Sequence, residues 1–183
     1  MKSNNRLFVS VDMDEWYQCR WATGSPNSLW SDVKLCWQDI YGSDAPKGEI
    51  EKPTDEILSL FDSLGFHSTF FFTGMIASYY PDLVKKIAAA GHEIACHNYH
   101  HEDYEHQSHE IFISDLEKSK KLLEDISGTE IVGYRSPNSS IPSNMVDSLE
   151  RLGFKYDSSI TPTRRMFGKF GSCLLYTSPS PRD

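Results

Sequence analysis

The chain has 183 residues, of which 39% are hydrophobic and 13% aromatic, enough for a single domain with a substantial buried core. Lysine and arginine number 18 against 26 aspartate and glutamate residues, which gives a formal net charge of -8. The sequence has no dense basic run, so nucleic acid and anionic membrane surfaces are excluded as expected partners. A neutral or polar ligand fits this composition better.

The start of the chain and its cysteines indicate the expected compartment. No long apolar segment precedes the first predicted strand, so we expect no signal peptide, no membrane span and a cytoplasmic location. The cysteines have no CxxC spacing, which favours reduced thiols over disulfides or a thiolate zinc site. They are Cys19, Cys36, Cys96 and Cys173.

An acidic cluster follows the first predicted strand. Residues 7–11 are β-branched and aromatic, as is typical of a buried strand, and Asp12, Asp14 and Glu15 come directly after them. Three carboxylates at a strand end repel one another unless a cation or an arginine meets them. A solvated acidic turn is the alternative interpretation.

Residues 17–51 are polar, contain scattered glycine and proline, and with Trp16 carry every tryptophan of the chain. Loops of this length in compact domains are usually functional or flexible. Exposed indole rings could stack on sugar faces, or they could anchor the segment to the core. The tryptophans are Trp16, Trp21, Trp30 and Trp37.

From residue 53 onward, helix and strand patterns alternate and glycines follow the helices. This alternation predicts a parallel sheet of βα units, as in an α/β barrel or an open sheet. The predicted helices begin at Pro53, Pro81, Ser108 and Ser143, with Ile57, Leu58, Phe61 and Leu64 on the apolar face of the first and Met145, Val146, Leu149 and Leu152 on that of the last. The predicted strands are 68–72, 93–96, 131–134 and 154–156.

Polar residues follow the carboxyl ends of these strands, which lie on one face of such a fold, where sites form. They are Asp12, Asp14, Thr73, His97, His101, Arg135 and Asp157. His97 and His101 are four residues apart and can reach one cation, although His100 offers a competing spacing. One carboxylate with two histidines makes a metal site with open positions, and the second carboxylate is then free to act as a base. Zn²⁺ is the expected metal, and the ligand types leave Fe, Mn, Co and Ni open.

These residues carry a resemblance to the polysaccharide deacetylase family with the NodB-type catalytic domain, carbohydrate esterase family 4, and in particular to its exopolysaccharide-associated branch. The similarity runs from about Leu7 to Thr161. It rests on the Asp12-x-Asp14 motif, Ser68-Thr69-Phe70-Phe71 with Thr73-Gly74, Gly91-His92-Glu93-Ile94-Ala95 before His97-x-x-x-His101, Gly133-Tyr134-Arg135-Ser136-Pro137, and Tyr156-Asp157-Ser158-Ser159.

The resemblance implies a distorted (β/α) barrel and the metal-dependent hydrolysis of N-acetyl groups from amino sugars of a polysaccharide, a linear-amide hydrolase reaction. It implies that Asp12 is the catalytic base and that Arg135 orients it. The implied metal ligands are Asp14, His97 and His101. Pro137 is expected in the groove wall, and Asn138 and Tyr99 are further candidates for substrate contact.

The sequence departs from the family pattern in three places. The usual adjacent aspartates are replaced by Asp12-Met13-Asp14, which leaves Glu15 as an outside candidate ligand. Residues 136–138 replace a Pro-Pro-aromatic run, and the family's late Leu-x-x-His motif has no match. Two alternatives therefore stay open: an amide hydrolase of the same superfamily acting on a small ureide or cyclic amide, and a catalytically dead glycan-binding homologue.

The last stretch, residues 173–183, resembles a translated sequencing adaptor and not a fold element. We therefore expect residues 1–172 to be a partial deacetylase domain of about five βα units and residues 173–183 to be a non-native tail. Because the barrel would be incomplete, we expect the 183-residue chain itself to be inactive.

Overall fold

The computed structural model of the protein describes residues 7–102, 108–140 and 144–159. Within these residues the chain forms a parallel sheet of five strands in the order β1-β2-β3-β4-β5, which confirms the predicted α/β class. The strands are β1 (Ser10–Met13), β2 (Thr69–Phe72), β3 (Glu93–Cys96), β4 (Gly133–Tyr134) and β5 (Tyr156–Asp157). Since each strand lies beside its predecessor, right-handed crossovers place the connecting helices on one face.

The helices mostly begin and end near the predicted signals. Ser108 caps the longest helix by accepting a hydrogen bond from the Ile111 amide, and Gly128 ends it in the left-handed conformation. The predicted cap at Ser143 lies outside the described residues. The helices are α1 (Val33–Tyr41), α2 (Glu51–Leu64), α3 (Gly74–Tyr79), α4 (Pro81–Ala89), α5 (His109–Ser127) and α6 (Met145–Arg151). None of them is long and apolar enough to cross a membrane.

The first strand lies further along the chain than predicted. Leu7 and Phe8 are 88% and 85% exposed, whereas β1 starts at Ser10 and pairs with β2 through Asp12 opposite Phe71. Asp12 therefore lies inside the strand and Asp14 follows it. The pairing partner determines this register, and the apolar run alone does not specify it. At the other end of the sheet, Asp157 likewise belongs to β5 instead of following it.

The tryptophan-rich segment is more ordered than predicted. A 3₁₀ helix covers Trp16–Gln18, and α1 begins where the Asp32 carboxylate accepts hydrogen bonds from two backbone amides. Trp37 of α1 is fully buried, so this tryptophan anchors the segment to the core. Its aromatic partners are Tyr17 and Tyr79, both in edge-on contact.

The helix-facing side of the sheet carries the main core, in which Phe70, Phe72 and Cys96 are fully buried. Two residues predicted to face this core are exposed instead: Leu64 is 61% and Val146 57% exposed. Each lies at the edge of the apolar face of its helix, so the buried part of that face is narrower than the sequence predicted. The short helix α3, capped by Thr73, was not predicted.

The loop after β3 is held by buried hydrogen bonds. Asn98 adopts a left-handed conformation with φ of 60°, which is uncommon for a residue other than glycine. The Tyr134 hydroxyl donates to its side-chain oxygen at 2.7 Å, and the Ser119 hydroxyl donates to its carbonyl oxygen at 2.9 Å. Because both partners come from neighbouring elements, the chain path leaving His97 is fixed.

We predict that Tyr134→Phe lowers the free energy of unfolding by about 1–3 kcal/mol, because the buried Asn98 oxygen loses its hydroxyl donor. Urea denaturation measures the change. The matched control is Tyr79→Phe, which affects a partly exposed ring and should stay within about 0.5 kcal/mol of the wild type. Equal stabilities of the two variants would contradict the role assigned to the hydroxyl.

Candidate active site

Arg135, directly after β4, reaches across the sheet to both of its edge strands. Its guanidinium donates to Asp12 Oδ1 at 2.5 Å and to Ser10 Oγ at 2.9 Å in β1. It also donates to Ser158 Oγ at 2.7 Å, just beyond β5, and lies 4.1 Å from the centroid of the Phe71 ring. The guanidinium is thus held from several sides, and one of its nitrogens contacts the Asp12 carboxylate. That Arg135 orients a catalytic base stays a prediction.

His97 is only 2% exposed and is oriented by the backbone of the same arginine. Its Nδ1 lies 2.6 Å from the Arg135 carbonyl oxygen, which can only accept, so Nδ1 carries the proton. Burial and the neighbouring His101 lower the pKa of His97 to about 4, so the ring is neutral near pH 7. Its Nε2 therefore presents an unprotonated lone pair, the form that binds metals.

His101 and Asp14 form the other half of the site. His101 Nε2 lies 3.6 Å from Asp14 Oδ2, and the His101 ring centroid is 5.1 Å from that of His97. Burial raises the pKa of Asp14, and the Asp12 charge adds to this, whereas His101 opposes it. His100, the competing candidate, packs its ring edge-on against Tyr99.

The donor set fits a divalent metal chemically: one carboxylate, one neutral imidazole with a free Nε2, and a second imidazole beside the carboxylate. In the described ranges, however, no three His, Cys, Asp or Glu side chains come together as a ready-made metal cluster. The candidate ligands lie as a close pair, Asp14 with His101, next to His97. The ligand roles remain predictions.

The other candidate residues differ in burial and in the contacts that their side chains make. Pro137 is buried at the start of a 3₁₀ helix, and Asn138 beside it has a positive φ of 55°. The Tyr99 ring packs towards the helices, with Lys118 Nζ at 3.5 Å from its centroid. Thr73 is fully buried, caps α3 and accepts a hydrogen bond from the Gln18 side chain.

Two carboxylates near the strand ends are engaged elsewhere. Glu15, the outside candidate ligand, is 7% exposed and accepts a hydrogen bond from the Ile50 amide at 3.2 Å. Asp157 accepts hydrogen bonds from the backbone amide and hydroxyl of Ser159. Both side chains therefore brace loops around the site.

Three residues that hold Arg135, namely Ser10, Phe71 and Ser158, were not predicted from the sequence. Ser10 lies two residues before Asp12 on the same face of β1. Phe71 is the residue of the adjacent strand β2 that pairs with Asp12. The alternation of side chains along a strand would have placed Ser10 beside Asp12, had the strand been assigned in its correct register. Ser158 carries no comparable signal beyond its place in the Tyr156-Asp157-Ser158-Ser159 motif.

Two curated proteins are similar in sequence to this chain over part of their length. The chain is 34% identical over 107 residues to a peptidoglycan deacetylase-like protein of Gibberella zeae, covering 57% of this chain and 32% of the relative. It is 30% identical over 138 residues to the peptidoglycan deacetylase of Helicobacter pylori, covering 70% of this chain and 46% of the relative. The chain thus spans about a third to a half of the length of these relatives.

A solved structure agrees on the fold. A Mycobacterium smegmatis protein, named provisionally as a polysaccharide deacetylase, superposes with a TM-score of 0.68 at 26% identity, covering 85% of this chain and 51% of that one. The five-stranded parallel sheet and its helices therefore match part of the barrel-like deacetylase fold. The sequence profile of polysaccharide deacetylases matches residues 31–156, which is most of the chain. We conclude that the chain belongs to the polysaccharide deacetylase family, the NodB-type domain of carbohydrate esterase family 4.

Proposed function

We propose that this chain carries the metal-binding half of a deacetylase site that hydrolyses N-acetyl groups on amino sugars of a polysaccharide. The observation that carries the proposal is that one residue, Arg135, holds the base candidate Asp12 through its side chain and the ligand candidate His97 through its carbonyl. The peptidoglycan deacetylases among the relatives support the substrate class. By sequence resemblance, we place the protein in the exopolysaccharide-associated branch.

Asp14, His97 and His101 would hold the metal, for which Zn²⁺ is our first choice. When bound, a divalent metal polarises the acetyl carbonyl oxygen and lowers the pKa of a water molecule to about 7. Asp12 takes the proton from the attacking water, and its contact with Arg135 holds the carboxylate in position. The water oxygen bonds to the carbonyl carbon, the bond between that carbon and the nitrogen breaks, and the nitrogen takes up the proton that Asp12 accepted, so that acetate and a free amine leave.

We predict that His97 is a neutral Nδ1–H tautomer in the metal-free protein at pH 7, because its Nδ1 donates to the Arg135 carbonyl. Two-dimensional ¹H–¹⁵N NMR of the imidazoles in the presence of EDTA shows which nitrogen is protonated. His97→Gln identifies the signal, and the solvent-exposed His67 serves as the comparison. An imidazolium or an Nε2–H tautomer at His97 would overturn the orientation of the ligand atom.

We predict that Asp14→Ala, His97→Ala and His101→Ala each abolish tight metal binding. The loss should exceed the roughly 10- to 100-fold typical of removing an outer partner of a metal ligand. Elemental analysis after metal loading and gel filtration measures the stoichiometry. His100→Ala is the matched control and should retain metal. Stoichiometric metal in all three alanine variants would refute the ligand set.

Asp12→Asn is predicted to retain metal but to lose turnover by roughly 10²- to 10⁴-fold, the usual contribution of a positioned base. Acetate release from N-acetylglucosamine oligomers is measured on the protein expressed from its complete gene. Asp62→Asn, an exposed substitution on α2, should leave the rate unchanged. A substantially active Asp12→Asn variant would disprove the base. Hydrolysis of small ureides or cyclic amides in place of the oligomers would disprove the deacetylase assignment.

A further inference from the structure

Four aromatic side chains of the segment that follows β1 form one cluster, here called the aromatic platform: Trp16, Trp21, Trp30 and Tyr41. Trp16 and Trp21 are stacked, with ring centroids 5.7 Å apart and planes 16° from parallel. Trp30 and Tyr41 meet the Trp16 ring edge-on at 6.4 and 6.3 Å. The cluster is thus organised around Trp16, two residues after Asp14.

Carboxylates fix the planes of these rings. The Trp16 indole N–H donates to Glu49 at 2.9 Å and to the Tyr41 hydroxyl oxygen at 3.0 Å. The Trp30 indole N–H donates to Asp39 at 3.0 Å. Because these hydrogen bonds set the ring orientations before any ligand arrives, binding would lose little side-chain entropy.

The platform is open to solvent on the side of Trp21. This ring is 55% exposed, and the stacking on Trp16 covers one of its faces, which leaves the opposite face accessible. Leu29, whose amide donates to the Trp21 carbonyl, is 71% exposed. Trp37 anchors the same segment to the core because it is fully buried, whereas more than half of Trp21 is exposed. Exposed apolar side chains that lie together can mark a binding site.

The same segment packs against the histidine loop. A Cβ atom added at Gly24 would lie 3.2 Å from the His101 carbonyl oxygen and 2.7 Å from that of Gln18, so the backbones approach closely there. A small cavity of about 110 Å³ is lined jointly by Thr23, Gly24, His100 and His101. The platform is therefore carried by a segment that adjoins the proposed catalytic centre.

The chemistry of the platform selects its ligand. The carboxylates of Asp39 and Glu49 and the net charge of -8 disfavour an anionic ligand, whereas an exposed indole face suits the C–H face of an uncharged sugar ring. Trp16, Trp21 and Trp30 precede residue 31, where the family profile begins to match. The three tryptophans of the platform thus lie outside the matched region, whereas Tyr41 lies inside it.

We propose that the aromatic platform binds pyranose rings of an N-acetylated glycan chain, outside the sugar that is deacetylated, with the free face of Trp21 as the principal contact. This inference rests on the proposed function for the identity of the glycan. It makes the enzyme selective for oligomers that are long enough to reach Trp21 from the catalytic centre.

The first test uses the indole N–H signals in ¹H–¹⁵N NMR spectra of the 183-residue chain, titrated with N-acetylglucosamine and its tetramer and hexamer. We expect the Trp21 signal, assigned with Trp21→Phe, to shift with the oligomers more than with the monomer, while the buried Trp37 signal stays in place. Oligomer binding without any shift of the Trp21 signal would overturn the proposal.

The second test compares Trp21→Ala with Leu60→Ala, a control of similar exposure on α2. Loss of one aromatic contact should weaken hexamer binding by about three- to tenfold in titration calorimetry and leave monomer binding unchanged. Unchanged hexamer affinity in Trp21→Ala would overturn the platform.

Acetate release from the protein of the complete gene separates the two proposals. If the Trp21→Ala variant releases acetate from the hexamer as fast as the wild type, the proposed deacetylase function is supported and the proposed role of the platform is refuted. If the wild type releases no acetate from any oligomer but Trp21→Ala weakens hexamer binding, the proposed role of the platform is supported and the proposed deacetylase function is refuted.

Discussion

The contact that the rest of this structure depends on is the reach of Arg135 from β4 to both edges of the sheet. In a flat sheet, β1 and β5 would be about 19 Å apart, four times the usual strand spacing. One guanidinium nevertheless touches Ser10 and Asp12 on the first strand and Ser158 beyond the last. The sheet must therefore be strongly curved, and the arginine lies on its concave side. A cavity of about 670 Å³ lined by residues of both edge strands occupies this side.

The fold could be predicted from sequence wherever local chemistry determines it. Ser108 and Gly128 mark the ends of α5 because a hydroxyl cap and a left-handed glycine each satisfy backbone groups within one turn. The start of β1 could not be predicted in the same way, because residues 7–11 read as a strand by composition while the observed strand is set by pairing with Thr69–Phe72. Helix α1 was missed because only Cys36 and Trp37 of its nine residues are buried, and the burial of Trp37 depends on contacts with Tyr17 and Tyr79.

In the candidate site, too, some features could be predicted from the sequence and others depend on tertiary contacts. The sequence placed Asp12, Asp14, His97, His101 and Arg135 on one face, and the structure brings them together because the carboxyl ends of parallel strands share an edge. The sequence could not indicate that the Arg135 carbonyl sets the His97 tautomer, because every residue has a backbone carbonyl and its contacts do not depend on the type of side chain. The choice between His100 and His101 also depends on how the loop turns at Asn98, whose left-handed conformation is held by Tyr134 and Ser119.

The acidic motif at the end of β1, which begins inside the strand at Asp12, contributes contacts to two parts of the molecule. Three close carboxylates would repel one another, and each has a different partner: Asp12 contacts Arg135, Asp14 lies beside His101, and Glu15 accepts a hydrogen bond from the Ile50 amide. Burial raises the pKa of Glu15, which its hydrogen bonds partly offset. The first two contacts assemble the proposed catalytic centre, whereas the third ties the far end of the tryptophan-rich segment back to β1. The aromatic platform is therefore anchored by the same acidic motif that supplies the base.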